Sequence, residues 1–199
     1  MTMAMFEVSS GRIRCTIAWT AQDFSKALLR NSHAFLKTRS VELQATDLAR
    51  EGFRVEDCIA FVNAVCRWGN RPGTAGLVVR DNHQDCIQKQ LNVAWGHLQR
   101  DQVGDALDAI LKLRGLDVSC GSKHLRLLAP DKAVVLDSII RDGLGYKRSP
   151  AAYGNFLADC LAVRDFLNGK HGSPNPVDLK GSWRVCDVEM AIYSKLRGL

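Results

Sequence analysis

The 199-residue sequence lacks the features that mark several classes of protein. No apolar run approaches the roughly 20 residues that a membrane-spanning helix needs. The first residues do not show a basic region followed by an apolar one, as a secretion signal would. Internal repeats and low-complexity tracts are also missing. We therefore expect a cytoplasmic protein that folds over residues 1–199 as a single compact helical domain or as two closely packed lobes.

The sequence also lacks the closely spaced ligand pairs of a metal site. The seven cysteines include no C-x-x-C pair, and the five histidines are scattered. Structural zinc sites draw their ligands from such close pairs, and an odd, dispersed set of cysteines does not suggest a disulfide framework. We predict no metal and no cofactor, and we expect reduced thiols.

Charge, in contrast, is unevenly distributed. The net charge is +6 and the pI is about 9.0, which suggests an anionic partner. Residues 111–150 contain eight basic side chains against four acidic ones. This excess fits either a nucleic-acid-binding surface or a solvated, Lys-rich face of helices. The eight basic residues are Lys112, Arg114, Lys123, Arg126, Lys132, Arg141, Lys147 and Arg148.

Apolar residues recur at three- and four-residue steps along most of the chain, a spacing typical of amphipathic helices. Residues 55–68 show it clearly, and it recurs in residues 81–99, 104–113, 150–166 and 183–196. Only residues 12–17 alternate between polar and apolar, which suggests a small hairpin within residues 6–19. The predicted fold class is therefore mainly α, with a short N-terminal β-hairpin.

A break in the helical pattern follows Trp68, where residues 68–73 read WGNRPG. Gly and Pro force a loop at this point. Trp68, Asn70 and Arg71 on one exposed loop would suit stacking on a base and hydrogen bonding to it. The alternative is a buried Trp that closes the end of a helix.

Residues 111–140 contain the segment most suggestive of chemistry. They read as a helix end, a hairpin over residues 115–121, a second helix, a Pro-Asp turn and a third helix from about residue 131. A hairpin of this kind presents backbone N–H groups to a phosphate, and Gly115 and Gly121 would allow the turns. Lys112, Arg114, Lys123 and Arg126 flank it and would attract a nucleic-acid backbone.

Asp137 follows the apolar residues Val134, Val135 and Leu136. This position places a carboxylate beside the core, where an unpaired charge is costly. A functional role for Asp137 explains why a residue with this cost is present. The alternative is an Asp in the first turn of a helix, which the helix dipole favours.

The run GLDVSCGSKHLR from Gly115, followed by AVVLD ending at Asp137, resembles the helix-hairpin-helix DNA glycosylases, particularly the 8-oxoguanine DNA glycosylase branch. The resemblance is strongest over residues 110–146 and extends to residues 61–76, which are similar to the family's helix and loop that insert a polar residue into the duplex. It implies a helix-hairpin-helix at about 105–128 and a helix at about 131–144. It also implies duplex DNA with a flipped-out base as partner.

In that family the hairpin holds the DNA strand, and an Asp at the start of the next helix faces the sugar of the flipped nucleotide. The resemblance therefore implies that Asp137 is catalytic. Together with the motif, it assigns these residues to nucleic-acid binding: Asn70, Arg71, Lys112, Arg114, Gly115, Val118, Ser119, Gly121, Ser122, Lys123 and Arg126.

The chain departs from the family pattern at two positions. Asp117 stands where the hairpin usually has a second Gly, and Ser119 stands where bifunctional members have a nucleophilic Lys. A Ser cannot form a Schiff base with deoxyribose, so we expect a monofunctional enzyme without lyase activity. Lys123, four residues further on, is the alternative nucleophile, although a phosphate contact demands less of its geometry.

A base pocket needs flat apolar walls and a few polar groups. We assign Trp68, Trp183 and Asp187 to it, since Trp183 and Asp187 are four residues apart and would share a face of the last helix, which also carries Glu189. Core packing of Trp183 with exposed acids is the alternative.

These observations favour a monofunctional DNA N-glycosylase that leaves an abasic site. The family resemblance points to oxidised guanine as the base, and defence against phage DNA with modified bases is a variant of the same function. Two other hypotheses stay open: a non-catalytic helix-hairpin-helix protein that binds nucleic acid, and a subunit whose basic stretch contacts another protein. We expect a monomer.

Overall fold

The computed structural model describes residues 5–8, 17–31, 35–170, 172–178 and 180–198. Within these ranges the chain is mainly helical, as predicted, and two short strands precede the helices. None of the described helices is long and apolar enough to cross a bilayer. The elements are β1 (Met5–Val8), β2 (Ile17–Thr20), α1 (Ala21–Arg30), α2 (Phe35–Arg50), α3 (Val55–Trp68), α4 (Pro72–Asp81), α5 (Gln84–Gln99), α6 (Val103–Leu111), α7 (Val118–Leu128), α8 (Ser138–Leu144), α9 (Pro150–Asn168) and α10 (Val185–Leu196).

The two strands pair antiparallel, in a register that sets Met5 opposite Thr20 and Val8 opposite Ile17. Most of the alternating segment at residues 12–17 lies outside the described residues, as does the connection between the strands. The predicted hairpin therefore stays a prediction. Thr20 ends β2 and begins α1, since its hydroxyl accepts a hydrogen bond from the Asp23 amide while the Asp23 carboxylate accepts one from the Thr20 amide.

The chain divides into two compact units. The central unit is the continuous stretch Phe35–Val135, and the terminal unit combines Met1–Ala34 with Leu136–Leu199. Each unit has its own buried apolar residues, such as Phe61 and Leu91 in the central unit and Phe24 and Phe156 in the terminal unit.

Within the central unit, α7 lies very close to α6. A Cβ atom built on Gly121 would stand 3.2–3.3 Å from side-chain atoms of Leu107, Ile110 and Leu111. Gly121 is therefore a packing residue inside α7, and its prediction as part of the hairpin is wrong. The missing side chain allows the two helices to approach.

The predicted helix at about 131–144 begins later than expected. Residues 129–137 form no helix, and α8 starts at Ser138 with Asp137 as its N-cap. Pro130 disfavours helical backbone in the residue before it, and Asp is among the preferred N-cap residues. Asp137 therefore precedes the helix instead of lying within it.

Within the terminal unit, α10 packs against α1, α8 and α9. Trp183 precedes α10 and is buried, with its indole N–H donating to the Ser173 carbonyl at 2.7 Å. The backbone amide of Trp183 donates to the Asn168 side chain at 2.8 Å. These contacts fasten the segment that leads into α10 to the end of α9.

Candidate nucleic-acid interface and catalytic carboxylate

Helices α6 and α7 are joined by a short turn over residues 112–117. Gly115 has a φ of +92°, a conformation that residues with a Cβ rarely adopt. The Asn82 side chain holds the turn from α4, because it donates to the Arg114 carbonyl and accepts from the Arg114 amide, both at 3.0 Å. Lys112, Arg114 and Gly115 are exposed on this turn. The structure thus has a helix–turn–helix whose turn is shorter than the predicted hairpin.

Asp117 has a definite structural role as the N-cap of α7. Its carboxylate accepts a hydrogen bond from the Cys120 amide at 2.8 Å. A helix N-terminus attracts anions, and here the Asp117 carboxylate is the anion at the start of α7. The Cys120 amide is therefore already used and does not remain for a phosphate.

Lys123 is a buried lysine of the central unit. Its side chain is only 9% exposed, and its Nζ donates to Ser119 Oγ at 3.2 Å and to the Ser119 carbonyl at 3.4 Å. A Cβ atom on Gly69 would stand 2.8 Å from Lys123 Cδ, so Gly69 makes room for the lysine. No carboxylate in the described residues forms an ion pair with this ammonium. A buried cation without a carboxylate partner is costly.

The loop after α3 lies beside the first turn of α7. Burial, followed by Asp117, raises the pKa of the Cys120 thiol, while the positive charges of Lys123 and Arg71 act in the opposite direction. Arg71 is thus close enough to affect that thiol. Asn70 has a φ of +55°, which Asn tolerates better than most residues, and both Asn70 and Arg71 are exposed. We call Asn70, Arg71, Asp117, Ser119 and Lys123 the α7 entry cluster.

Arg126 does not reach a nucleic acid. The residue is fully buried, and its Nη1 lies 2.6 Å from Glu42 Oε1 of α2. Its guanidinium stands 5.6 Å from the ring centre of Trp68. The prediction of a phosphate contact at Arg126 is wrong, because Arg126 is buried against Glu42. The sequence does not reveal this partner, which lies 84 residues away.

Trp68 belongs to the last turn of α3 and is half-buried, so the prediction of an exposed loop Trp is also wrong. Its indole N–H donates to Thr38 Oγ1 at 2.9 Å. The Arg126 guanidinium lies over the same ring. Helix α3 ends on a tryptophan that packs within the central unit, which was the alternative reading.

Three further residues assigned to nucleic-acid binding lie inside the protein. Val118, Gly121 and Ser122 are buried, and the Ser122 hydroxyl donates to the Ser119 carbonyl at 3.1 Å. Ser119 is half-buried at the start of α7. The predicted contacts that remain exposed to solvent are Asn70, Arg71, Lys112, Arg114 and Gly115.

His124 is fully buried beside these residues. Its Nδ1 lies 2.8 Å from the Cys120 carbonyl, and burial lowers its pKa to about 4. The ring is therefore neutral at pH 7. Since a carbonyl only accepts, Nδ1 carries the proton, and Nε2 is an acceptor without a partner in the described part of the chain. The ring packs edge-on against Phe61.

We expect the buried His124 to make the folded protein less stable in mild acid. The unfolded chain has a His pKa near 6.5, so between pH 6.5 and pH 4 it binds a proton that the folded protein excludes. Lowering the pH from 7 to 5 should reduce the free energy of unfolding by about 2 kcal/mol more in the wild type than in His124→Asn. Urea denaturation at both pH values measures this. Equal pH dependence in the two proteins would contradict the assignment.

Asp137 is fixed by its backbone neighbours. Its Oδ1 accepts hydrogen bonds from the Ile139 and Ile140 amides, both at 3.0 Å. The residue is half-buried and follows the buried residues Val135 and Leu136. Its second oxygen, Oδ2, makes no hydrogen bond within the ranges that the structure describes. Asp137 is thus a carboxylate with one oxygen fixed and the other available.

The two residues predicted for the base pocket on the last helix are tied into the terminal unit. Asp187 is buried in the first turn of α10 and accepts from the Arg184 amide, the Arg184 guanidinium and Asn175 Nδ2, at distances of 2.9–3.2 Å. Trp183 precedes α10, so the prediction that places it on the helix is wrong. Trp183 is buried, as the core-packing alternative expected. The acids are not exposed as that alternative also expected, since Asp187 and Glu189 are both buried.

No group of three potential metal ligands occurs among the residues that the structure describes. Comparisons with protein-family models, with curated proteins and with solved structures found no match for the chain.

Proposed function

We propose that this protein is a cytoplasmic, monomeric, monofunctional DNA N-glycosylase that flips out a modified or damaged base and leaves an abasic site. The observation that carries this proposal is the geometry of Asp137. A cap that fixes one carboxylate oxygen and leaves the other unbonded supplies an oriented negative charge, which this reaction requires.

The chemistry assigned to Asp137 is hydrolysis at the sugar C1′ atom. The bond between C1′ and the base nitrogen breaks and its electron pair leaves with the base, while the oxygen of a water molecule bonds to C1′. Asp137 Oδ2 stabilises the oxocarbenium-like sugar and accepts the proton that the water loses. The departing base takes up a proton from solvent, so the products are a free base and an abasic site.

The exposed cations of the central unit would bind the DNA backbone. Lys112 and Arg114 precede Gly115 on the turn between α6 and α7, and Arg71 belongs to the α7 entry cluster. Their attraction to phosphate does not depend on sequence. The buried Lys123 ammonium, which lacks a carboxylate partner in the described residues, supports an anion near the same helix end.

A salt titration tests whether the turn between α6 and α7 contacts the DNA backbone. Replacing Lys112 and Arg114 by Gln should make the slope of log K against log salt concentration less steep by about 2, roughly 1 for each lost phosphate contact. Fluorescence anisotropy with a labelled duplex measures the slope. The matched control replaces Lys89 and Arg100, two exposed cations of the same unit outside the turn, and should leave the slope unchanged. Equal slopes in all three proteins would exclude the turn from the interface.

The absence of lyase chemistry is proposed from Ser119. This residue occupies the position of the family lysine, and its hydroxyl accepts from Lys123. Strand breaks in DNA with modified bases should appear only after hot alkali, and borohydride should trap no covalent complex. Cleavage without alkali, with trapping lost in Lys123→Gln, would overturn the monofunctional assignment in favour of Lys123.

The decisive experiment incubates the protein with duplexes that carry a panel of modified bases and measures the release of free base. Oxidised guanine is the first substrate to test, because the resemblance points to that branch, and phage-type modified bases are the second set. A second candidate function is non-catalytic nucleic-acid binding. Asp117 favours it, because the carboxylate occupies the amide that a phosphate would use. Salt-dependent binding without base release from any substrate would establish it.

A further inference from the structure

Helix α4 of the central unit exposes two glycines and a leucine on one face. Gly73, Gly76 and Leu77 are all exposed and, at steps of three and four residues, share one side of the helix. A Cβ atom built on either glycine would meet nothing within 4 Å. The buried residues of the helix are Ala75 and Val78. The outer face of α4, defined by Gly73, Gly76 and Leu77, therefore leaves part of the helix backbone bare to solvent.

The two glycines of this face are not required by the packing of the protein. Glycine weakens a helix relative to alanine, because it gives the unfolded chain more conformational freedom. The open space around Gly73 and Gly76 would accept a methyl group, whereas the tight contacts of Gly121 with α6 would not. The missing side chains do allow another molecule to approach the backbone of α4 closely. The charges at the two ends of the helix indicate which kind of molecule that is.

Cations gather where α4 begins. The Arg71 amide donates to the Cys66 carbonyl at 2.8 Å, which holds Arg71 against the end of α3. Arg67 is exposed in the last turn of α3, and Lys37 Nζ donates to the Arg67 carbonyl at 3.4 Å. Arg71 and Lys37 are exposed as well. Three exposed cations therefore lie near the start of α4.

Cations also lie where α4 ends. Asn82 follows the helix, and its side chain forms two hydrogen bonds of 3.0 Å with the backbone of Arg114. A Cβ atom on Gly115 would stand 3.6 Å from Leu77 Cβ, so the turn between α6 and α7 packs directly on α4. Lys112 and Arg114 are exposed on that turn. The outer face of α4 is thus continuous with a second group of cations.

These cations are not neutralised by ion pairs. Several surface arginines of this protein pair with a nearby aspartate, as Arg141 does with Asp142. The Asp81 carboxylate at the end of α4 is likewise taken up by Arg80, at 2.6 Å. The five cations named at the two ends of α4 form no ion pair with a carboxylate of the described residues. Their charge is therefore available to an anionic partner.

We propose that the outer face of α4 lies against the backbone of a bound DNA duplex. This inference rests on the DNA binding of the proposed function and adds a contact surface to it. Residues 71 and 82 are about 16 Å apart along the helix, at 1.5 Å per residue. One strand of a duplex places a phosphate about every 3.4 Å along its axis, so the two groups of cations bind phosphates several positions apart.

The outer face of α4 then contacts the stretch of backbone between those phosphates. Gly73 and Gly76 let the sugar-phosphate chain approach the helix backbone, which a side chain at either position would hold away. Leu77 packs against deoxyribose carbons, so its exposed apolar surface is covered in the complex. Charge at both ends thus provides the attraction, and the bare face between them permits the close fit.

The test compares binding of an unmodified duplex by the wild type, by Gly73→Ala with Gly76→Ala, and by the control Gly104→Ala with Gly154→Ala. Gly104 and Gly154 are exposed, occupy the second residue of α6 and the fifth of α9, as Gly73 and Gly76 do in α4, and have open space around them. Both double variants should have a higher midpoint of thermal unfolding. Only the α4 variant should bind more weakly, by about 10-fold in fluorescence anisotropy, because its methyl groups hold the DNA away.

A second pair of variants tests contact at Leu77. Leu77→Glu should weaken binding by about 10-fold or more, because the new carboxylate faces phosphates. The control is Val93→Glu, which adds the same charge at an exposed apolar residue of α5 in the same unit and should have a much smaller effect. Equal losses in the two variants would indicate long-range repulsion alone and would overturn the contact at α4.

The outcomes separate this inference from the function on which it rests. A more stable α4 variant with wild-type affinity overturns the role of the outer face and leaves DNA binding by the turn between α6 and α7 in place. Weaker binding by the α4 variant alone, despite its higher stability, supports the contact, since a purely structural role would not separate the two properties. A wild-type protein that binds no duplex overturns the proposed function itself.

Discussion

Asp137→Asn is expected to reduce the single-turnover rate of base release by about 10²–10³-fold, the usual effect of losing an electrostatic stabiliser of the transition state. The substitution keeps an oxygen that can accept from the Ile139 and Ile140 amides, so the cap of α8 survives. What is lost is the negative charge on Oδ2. Quantification of free base from a modified duplex, with enzyme in excess, measures the change.

The matched control is Asp142→Asn. Asp142 is an exposed carboxylate of the same helix whose side chain pairs with Arg141 at 2.8 Å, so its loss removes the same charge from the unit and should leave the rate unaltered. Both variants should bind DNA and unfold like the wild type. Base release that is unaffected by Asp137→Asn would remove Asp137 from the mechanism, even if the protein proves to be a glycosylase.

Glu42→Gln is expected to lower the free energy of unfolding by about 3–5 kcal/mol, the usual cost of leaving one member of a buried ion pair without its partner. Glu42 is 5% exposed, and the Arg126 guanidinium that it faces is fully buried. Removing the carboxylate charge leaves a cation inside the central unit beside Trp68. Urea denaturation followed by tryptophan fluorescence measures the loss.

Two comparisons make this result interpretable. Asp47→Asn removes an exposed carboxylate from the same helix, where it pairs with Arg50, and should change stability by less than about 1 kcal/mol. The double variant Glu42→Leu with Arg126→Met should regain most of the stability, since replacing a whole buried pair by apolar residues is often neutral. A cost below about 1 kcal/mol for Glu42→Gln would mean that solvent screens the pair.

The helices were predictable because their signals are local. The apolar spacing of residues 55–68 coincides with α3 (Val55–Trp68). The Ser-Pro signal at the start of α9 is also confirmed, since Ser149 Oγ accepts from the Ala152 amide and the helix begins at Pro150. Such signals depend on a few neighbouring residues and do not require knowledge of the rest of the fold.

The parts that could not be predicted depend on distant partners. Arg126 looks like a surface cation in the sequence, and only Glu42, 84 residues away, shows that it is a core residue. The position of Asp137 was available from a local signal, because an Asp before Ser-Ile-Ile is typical of an N-cap.

The division of the chain has a consequence for its synthesis. The central unit is one uninterrupted stretch, so every residue that it needs has left the ribosome before α10 is made. The terminal unit, by contrast, joins α1 to α10 across almost the whole sequence. Contacts that are so distant form slowly because the intervening chain must be closed into a loop. Helix α1 is therefore synthesised long before α10, and the apolar face that it packs against α10 stays uncovered until that helix is made.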